Sequence, residues 1–322
     1  MPKDLPPKNA LSAVALSEQT APPMSKTSSV IWTVVAAAQS AVWFFLLPQI
    51  CKPYWENVWG WMPPLVAQLT MNQLNVAYFV VYSLAMLPIY RGNYPFFEQY
   101  KISDRPWAWR SEKKEERDAF WALSWRSLRL YSVNAFILVP ALTLGKYLVL
   151  GDNMSFNTAD WPAYWELFRD NWAMTLVHEF GFYWTHRLAH HPRLYRYHKV
   201  HHEYKQNTVL AAQHEHPIDY IVTIATPALL AVVVVSPHSF TLFQWIAWLL
   251  VANYDDHCGY AFPWSPVRWF WPSARTDQHE FHHSKNMGCF ASKLGIYDMA
   301  FKSEEPYLAW RSKREEKARR QD

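Results

Sequence analysis

The chain has 322 residues, of which 51% are hydrophobic, 17% aromatic and 18% charged. This composition excludes a disordered protein, which is poor in apolar residues. The three cysteines are too few, and odd in number, for a disulfide scaffold, and eight glycines argue against a glycine-rich nucleotide-binding fold. A net charge of +4 does not indicate a nucleic-acid partner. The abundant aromatic residues are typical of a protein at a membrane interface.

The first hundred residues predict a tail followed by a membrane hairpin. Residues 1–28 are rich in Pro, Ser, Ala and Lys without an apolar period, and we expect them to be disordered. Residues 29–50 contain no charged side chain and are long enough to cross the hydrocarbon core. Residues 75–92 form a second, shorter apolar stretch, and tryptophans between the two indicate an interfacial segment. We therefore predict a membrane hairpin over residues 29–100.

Two charged segments indicate which parts face the cytosol. Residues 101–130 contain eight basic and five acidic side chains, and such an excess of positive charge is typical of cytoplasmic segments. A solvated amphipathic helix with i,i+4 ion pairs is an equally good interpretation of the same residues. The C-terminal residues 311–322 are predicted to be a charged tail near anionic lipid.

The remaining apolar segments are shorter or interrupted. Residues 131–150 contain Pro140, Gly145 and Lys146. Residues 220–235 and 239–252 flank a Ser-Pro-His turn, so they predict a helical hairpin that dips into or crosses the bilayer. All fourteen histidines lie between His178 and His283, on both sides of this hairpin.

Eight of the histidines form three clusters with helical spacing. We expect the rings of each cluster to project from one stripe of a helix, because residues three and four apart share a face. Neutral imidazole is a common ligand of Zn, Cu, Fe and Ni. The clusters are His186 and His190; His198, His201 and His202; and His279, His282 and His283.

The number of candidate ligands predicts two metal ions, since a single zinc takes four ligands. His257 is a ninth candidate, and Asn253, four residues before it, could supply an oxygen or hold water. Isolated histidines such as His178 and His238 are expected to be hydrogen-bonded packing residues. A histidine-rich metal store is disfavoured because such tracts have low complexity, whereas these clusters are separated by ordinary apolar sequence.

The positions of the ligands restrict the topology. Ligands on both sides of residues 220–252 can meet only if the chain crosses there an even number of times. A single crossing by residues 131–150 would separate the basic segment from the first cluster. We therefore expect 131–150 to be a re-entrant or interfacial helix, or a crossing that residues 171–185 complete. The predicted fold is an all-α integral membrane protein with a few transmembrane or re-entrant helices in hairpins and a cytosolic histidine-rich helical cap that holds two metals.

The motifs HxxxH, HxxHH and HxxHH around a membrane hairpin resemble the sterol desaturase/fatty acid hydroxylase superfamily of membrane di-iron oxygenases. Five stretches are similar to sterol carbon-4 methyl oxidases: YKISDRPW at 100–107, FYWTHRLAHH at 182–191, HKVHHEY at 198–204, HCGYAFPWS at 257–265 and TDQHEFHHSK at 276–285. The resemblance implies a catalytic domain over residues 101–310. It also implies two irons bound by the eight clustered histidines, with His257 as an additional ligand and His216 in a supporting position.

The resemblance further implies O2 as co-substrate, electrons from NAD(P)H through a microsomal b-type cytochrome and its reductase, and an endoplasmic reticulum membrane with the metal site facing the cytosol. The expected reaction is oxidation of the 4-methyl group of a 4-methylsterol or triterpenoid in sterol biosynthesis. The alternatives are a hydroxylase or desaturase of the superfamily that acts on another lipid or secondary metabolite, and a non-catalytic membrane sterol- or metal-binding protein. A phosphotransfer or transport protein is disfavoured because the sequence contains no phosphate loop.

Two further sets of side chains are predicted around the metals. Carboxylates that accept the outer N–H of a ligand imidazole would orient it, and the candidates are Asp255, Asp256, Asp277, Glu203 and Glu280. Aromatic residues near the clusters are expected to shape a substrate pocket or to pack in the core; these are Phe182, Tyr183, Trp184, Phe262 and Trp264.

Overall fold

The computed structural model describes residues 26–103, 105–151, 154–266 and 273–319. The predicted N-terminal tail lies outside these residues up to position 25, and helix α1 begins at Lys26. The described part is helical and contains only two isolated β-bridges. The helices are α1 Lys26–Ala41, α2 Leu47–Trp55, α3 Pro64–Gly92, α4 Pro95–Glu98, α5 Lys114–Val133, α6 Val139–Leu150, α7 Tyr164–Ala189, α8 Tyr195–His198, α9 Pro217–Asp219, α10 Thr226–Val235, α11 Ser239–Asp256, α12 Thr276–Lys285, α13 Ile296–Ala300 and α14 Glu305–Arg319.

Four helical stretches are long and apolar enough to cross a membrane. They are Val30–Gly60, Pro64–Gly92, Lys114–Leu150 and Pro217–Val235, each made of one helix or of helices joined by π-helical turns. The predicted N-terminal hairpin thus consists of two spans, and the second is longer than expected because α3 begins at Pro64. The chain is therefore a multi-pass membrane protein.

Prolines explain three of the four π-helical turns in these spans. The turns at Val42–Leu46, Asn134–Leu138 and Tyr220–Ala225 each end two residues before a proline, at Pro48, Pro140 and Pro227. Proline has no N–H and its ring clashes with the carbonyl four residues earlier, so the helix widens there to keep its remaining bonds. Pro140 therefore does not break the helix, and residues 131–150 continue the helix that begins at Lys114.

The bundle has two ends, and α7 connects them. At one end, which we call the distal end, the Trp55 ring lies 6.0 Å from Trp161 and 5.3 Å from Phe240, and its indole N–H donates to Ser239 Oγ at 3.1 Å. Helix α7 begins just after Trp161 and ends at the histidines of the opposite end. Residues 131–150 thus belong to a candidate span, and α7 returns from the distal end to the histidines. This is the course of the second topology predicted for 131–150, and which of these segments cross a membrane stays a prediction.

The central helices pack tightly at one glycine. Helix α10 packs along α7, and a Cβ atom on Gly181 would lie 3.2 Å from Pro227 Cα. A larger side chain at Gly181 would push α10 away from α7. At the C-terminal end, α14 extends over Glu305–Arg319, so the predicted tail boundary at residue 311 falls inside a helix; residues 320–322 lie outside the described part.

Candidate metal centre

The structure brings all nine predicted ligand histidines together at the end of the bundle opposite the distal end. They form two groups, and within each group one ring nitrogen per residue lies within 4.8 Å of the others. The rings of His202 and His283, one from each group, are 4.7 Å apart, so the groups are adjacent. The five-histidine group contains His186, His190, His198, His202 and His282, and the four-histidine group contains His201, His257, His279 and His283.

The two HxxHH clusters are each divided between the groups. His198 and His202, four residues apart, belong to the five-histidine group, whereas His201 points into the other. In α12, His279 and His283 share the four-histidine group, and His282 faces the opposite one. Adjacent residues on a helix are rotated by about 100°. The expectation that the three rings of each HxxHH cluster project from one stripe of a helix was therefore wrong. Each of these two segments instead contributes histidines to both groups.

The distances between ring nitrogens fit metal binding. The Nε2 atoms of His257 and His279 are 2.8 Å apart, and those of His190 and His282 are 3.2 Å apart. Two imidazoles bound at 2.0–2.1 Å to one metal would place their nitrogens about 3 Å apart. In addition, His186 Nε2 is buried and has no hydrogen-bond partner in the described structure. Converging nitrogens together with this buried, unsatisfied nitrogen are the arrangement that a transition-metal ion requires.

Backbone and carboxylate acceptors orient four of these rings from outside. An Nδ1–H that donates to such an acceptor leaves Nε2 as the atom available for a metal. The acceptors are Phe290 O for His186 at 2.9 Å, Gly288 O for His282 at 2.6 Å, Asn253 O for His257 at 2.8 Å and both Asp219 carboxylate oxygens for His198 at 3.0 Å. The Nδ1 atoms of His201, His202 and His283 have no such partner among the described residues.

Asp219 is a site residue that the sequence did not identify. It is 3% exposed, lies at the end of the short helix α9 and binds His198, 21 residues earlier. A carboxylate in this position fixes the tautomer and the orientation of the imidazole. The separation of His198 and Asp219 in the sequence does not indicate that the two side chains bind each other. The segment between them contains two irregular turns, so no helical spacing relates the two residues.

The loop that carries two of the backbone acceptors is held by buried carboxylates. Glu179 accepts hydrogen bonds from the backbone N–H groups of Ser292, Lys293 and Leu294 at 3.2, 2.9 and 3.1 Å. Asp298 accepts from Phe290 and Ala291 at 2.8 and 2.9 Å. These bonds fix residues 290–294 against α7, and so position Phe290 O for His186. Glu179 therefore contributes to the metal centre through the loop.

Burial keeps eight of the nine grouped histidines neutral. It lowers the pKa of His190 and of His257 to about 3, with His198 adding to the effect on His190 and Lys293 to that on His257. Burial, followed by repulsion from neighbouring imidazoles, holds the pKa of six others well below the usual histidine value; these are His186, His201, His202, His279, His282 and His283. Neutral rings are the form that binds metal.

Comparison with known proteins shows which proteins this chain resembles. The family model for fatty acid hydroxylase matches residues 172–303, the segment that contains all nine histidines. That segment is similar to fatty acid hydroxylases, and most of the chain is similar to methylsterol monooxygenases. It is 27% identical to methylsterol monooxygenase 1 of Gallus gallus over 68% of this chain and 71% of that protein, and 26% identical to the Rattus norvegicus protein of the same name over 83% and 89%.

A third relative in the superfamily has a different name. The very-long-chain aldehyde decarbonylase GL1-11 of Oryza sativa is 27% identical over 79% of this chain and 91% of that protein. No solved structure matches this chain.

Three other predicted site residues lie around the two histidine groups. Asn253 orients His257 through its carbonyl oxygen rather than its side chain. His216 lies outside both histidine groups, where its ring accepts from the backbone N–H of Ile218 and so caps helix α9. Asp277 accepts from Arg275 and from the Tyr307 hydroxyl at 2.8 Å, which fastens α12 to α14.

The other predicted carboxylates also have partners away from the rings. Asp255 accepts from the Tyr82 hydroxyl at 3.1 Å, and Asp256 forms a buried ion pair with Lys293 at 2.5 Å. Glu203 binds Arg126 at 2.6 Å and contacts His214, which is not in either group. Glu280 is buried. Asp219 is thus the carboxylate for which the structure records a bond to a grouped histidine.

The two isolated histidines match their prediction to different degrees. His238 is hydrogen-bonded as predicted, and caps α11 by accepting from Phe240 N at 3.1 Å. The ring of His178 is buried between Phe182 and Trp245, but its Nδ1 has no hydrogen-bond partner among the described residues.

Three adjoining cavities connect the metal centre to the membrane-spanning helices. A cavity of about 20 Å³ is bordered by five of the grouped histidines together with Phe182 and Asn253. It adjoins a second cavity of about 60 Å³, which Phe182 and Asn253 also border. A third cavity of about 230 Å³ shares Asn75 and Leu249 with the second and extends toward the distal end. The arrangement provides a path from the bilayer to the histidines.

The largest of these three cavities is mainly apolar and has a side opening. Leu142 of α6 and Leu229 of α10 both border it and are 36% and 44% exposed, so it opens toward lipid between these helices. Among the predicted pocket aromatics, Phe182 borders the two cavities nearest the histidines. Phe262 and Trp264 instead stack on each other at 4.7 Å, in packing away from the centre.

Proposed function

We propose that this protein is a membrane-bound non-haem di-iron monooxygenase that oxidises an unactivated C–H bond of a sterol or sterol-like lipid. The 4-methyl group of a 4-methylsterol or triterpenoid is the proposed site of oxidation. The observation that carries this proposal is the position of two adjacent groups of neutral histidines at the inner end of an apolar path that opens to the membrane. The names of two relatives, both methylsterol monooxygenase 1, support the choice of substrate.

The five-histidine and four-histidine groups would each hold one iron ion. Iron bound there would supply the redox chemistry for inserting one atom of O2 into a C–H bond, with two electrons and two protons converting the other atom to water. The electrons are proposed to come from NAD(P)H through a b-type cytochrome and its reductase. The proposed location is the endoplasmic reticulum membrane, with the histidines facing the cytosol, where the positive charge of residues 101–130 would also lie.

The protein's own residues position the reactants. Asp219 and the carbonyl groups of Asn253, Gly288 and Phe290 aim the ring nitrogens inward. The apolar walls of the largest cavity hold the hydrocarbon and exclude water. Phe182 and Asn253 border the last part of the path, so they would contact the carbon that is oxidised.

Adjacent histidines provide a matched test of the ligand assignment. His190 belongs to the five-histidine group, whereas His191, the next residue, is exposed and outside both groups. Purified wild-type protein should contain two irons per chain and convert a 4-methylsterol to its hydroxymethyl product with one 18O atom from 18O2. His190→Gln should lose iron and product, and His191→Gln should keep both. Equal iron content and activity in the two variants would refute the assignment.

The relative named as an aldehyde decarbonylase favours a second candidate, an enzyme of the superfamily that acts on another lipid. Mass spectrometry of lipids that accumulate when the gene is deleted distinguishes the two. Accumulated 4-methylsterols support the first candidate, and accumulated straight-chain lipids support the second. Two irons per chain without O2 uptake on any lipid would instead indicate a non-catalytic binding protein.

A further inference from the structure

The end of the largest cavity that is farthest from the histidines is polar. Four side chains on α3 and α6 border it there, and we call them the distal polar cluster: Gln68, Asn72, Thr143 and Lys146. Lys146 Nζ donates to Gln68 Oε1 at 3.2 Å, and the Asn72 amide donates to Thr143 Oγ1. Polar and charged side chains inside a membrane span are costly, and where they face a cavity they mark a functional site.

Helix periodicity directs this cluster into the cavity. On α3 the bordering residues are Gln68, Met71, Asn72 and Asn75, and on α6 they are Val139, Leu142, Thr143 and Lys146. Both sets have the spacing i, i+3, i+4, i+7, which is one face of a helix. Gln68 is only 5% exposed although it lies in the first turns of a candidate membrane span. The polar side chains thus line the path, and are not directed to solvent.

The cluster is separated from the oxidation site by an apolar stretch. Gln68 precedes Asn75, which borders both the second and third cavities, by seven residues, or about 10 Å along the helix. The wall between the two ends is formed by leucine, isoleucine, valine and alanine side chains, including Ile224, Ala228 and Leu249. A lipid in this path would have one end at the histidines, its hydrocarbon in the middle and its other end at the cluster.

We propose that the distal polar cluster binds an oxygen-containing group at the end of the lipid substrate opposite to the carbon that is oxidised. An ammonium group has three N–H donors and a carboxamide has two, so a hydroxyl or carboxylate oxygen matches this cluster. In a 4-methylsterol the ring hydroxyl is next to carbon 4 and would lie near the histidines. The distal group is therefore a second oxygen function, on the side chain. This inference rests on the proposed function, because it assigns the metal end to the reacting carbon.

The experiment uses the metal-free, full-length protein in lipid nanodiscs, so that binding is measured without turnover. The probes are three steroids with one ring system whose side chains end in methyl, hydroxyl or carboxylate. Their binding is followed by the fluorescence of the protein's tryptophans, since Trp245 borders the cavity. We expect the hydroxyl- or carboxylate-terminated steroid to bind about tenfold or more tightly than the methyl-terminated one, as expected for a hydrogen bond to a charged group.

Two variants and one control test the cluster directly. Lys146→Met should remove the preference, Lys146→Arg should retain most of it, and Lys52→Met, which changes an exposed lysine of α2, should have no effect. If Lys146→Met fails to fold, Thr143→Val should reduce the preference instead. Preference for the carboxylate alone shows that the bound oxygen group is charged, and equal preference for the hydroxyl shows that a neutral oxygen group is sufficient. Equal affinity for all three steroids, or a preference that persists in Lys146→Met, would overturn the inference.

A separate activity measurement distinguishes failure of this inference from failure of the proposed function. Iron-loaded protein that prefers the oxygenated steroid but oxidises none of the three would contradict the proposed oxygenase, and leave the cluster assignment intact. Oxidation of the methyl-terminated steroid with no binding preference would support the proposed oxygenase and contradict the cluster assignment.

Discussion

The bond between Asp219 and His198 allows a quantitative test of how the protein would hold one of the two proposed metals. Both side chains are buried, and the two carboxylate oxygens lie 3.0 Å from His198 Nδ1. In Asp219→Asn the side chain keeps its size but loses its charge and one acceptor oxygen. Changes to such outer partners of ligand histidines reduce metal affinity by about 10- to 100-fold, or roughly 1.4 to 2.7 kcal/mol.

Only one ion should be affected, because His198 belongs to the five-histidine group. Titration of the iron-loaded protein with a chelator should therefore change from one transition to two, with half of the iron released earlier. Asp277→Asn is the matched control, since Asp277 is equally buried and lies in a ligand-bearing helix but binds Arg275 and Tyr307. That variant should have a lower melting temperature with unchanged release of iron. Asp219→Asn with wild-type release of both ions would refute this reasoning.

Three further predictions concern the path, the loop and the dependence on pH. Leu249→Trp should block the junction of the two larger cavities and abolish product formation without loss of iron, whereas Leu148→Trp, on an exposed position, should remain active. Glu179→Gln should lower the free energy of unfolding by about 3 kcal/mol or more, measured by denaturant unfolding in detergent, because buried N–H groups lose a charged acceptor. For the metal-free protein, the pKa of His190 and His257 is about 3 when folded and near 6.5 when unfolded. Between these two values the unfolded state binds more protons than the folded state. The free energy of unfolding should therefore fall by about 1.4 kcal/mol per pH unit for each such histidine as the pH decreases below 6.5. A melting temperature that is constant from pH 7 to 5 would contradict this.

Local spacing in the sequence was sufficient to select the histidines that the fold brings together. It was not sufficient to predict which of them belong to which group. The pairs four residues apart, such as His186 and His190, stay in one group because they share a helix face. His201 and His282 instead join the opposite groups, and this depends on how the short helices are packed. Asp219 could not be predicted for a similar reason, since its partner lies across irregular turns. The topology of residues 131–150 was left open because the sequence does not reveal that π-helical turns accommodate the prolines.

The sequence also did not predict the cavity or its polar end. Gln68 and Lys146 are far apart in sequence, and Lys146 alone looked like an interruption of an apolar segment. Their proximity is a consequence of the antiparallel packing of α3 against α6.

The division of the ligands has a consequence for synthesis of the protein. The four-histidine group has one member, His201, before the α10–α11 hairpin and three after it. That group of histidines is therefore incomplete until α12 has left the ribosome and the hairpin has been inserted into the membrane. Binding of the second proposed ion would follow insertion, and a chain truncated before Thr276 would lack His279 and His283.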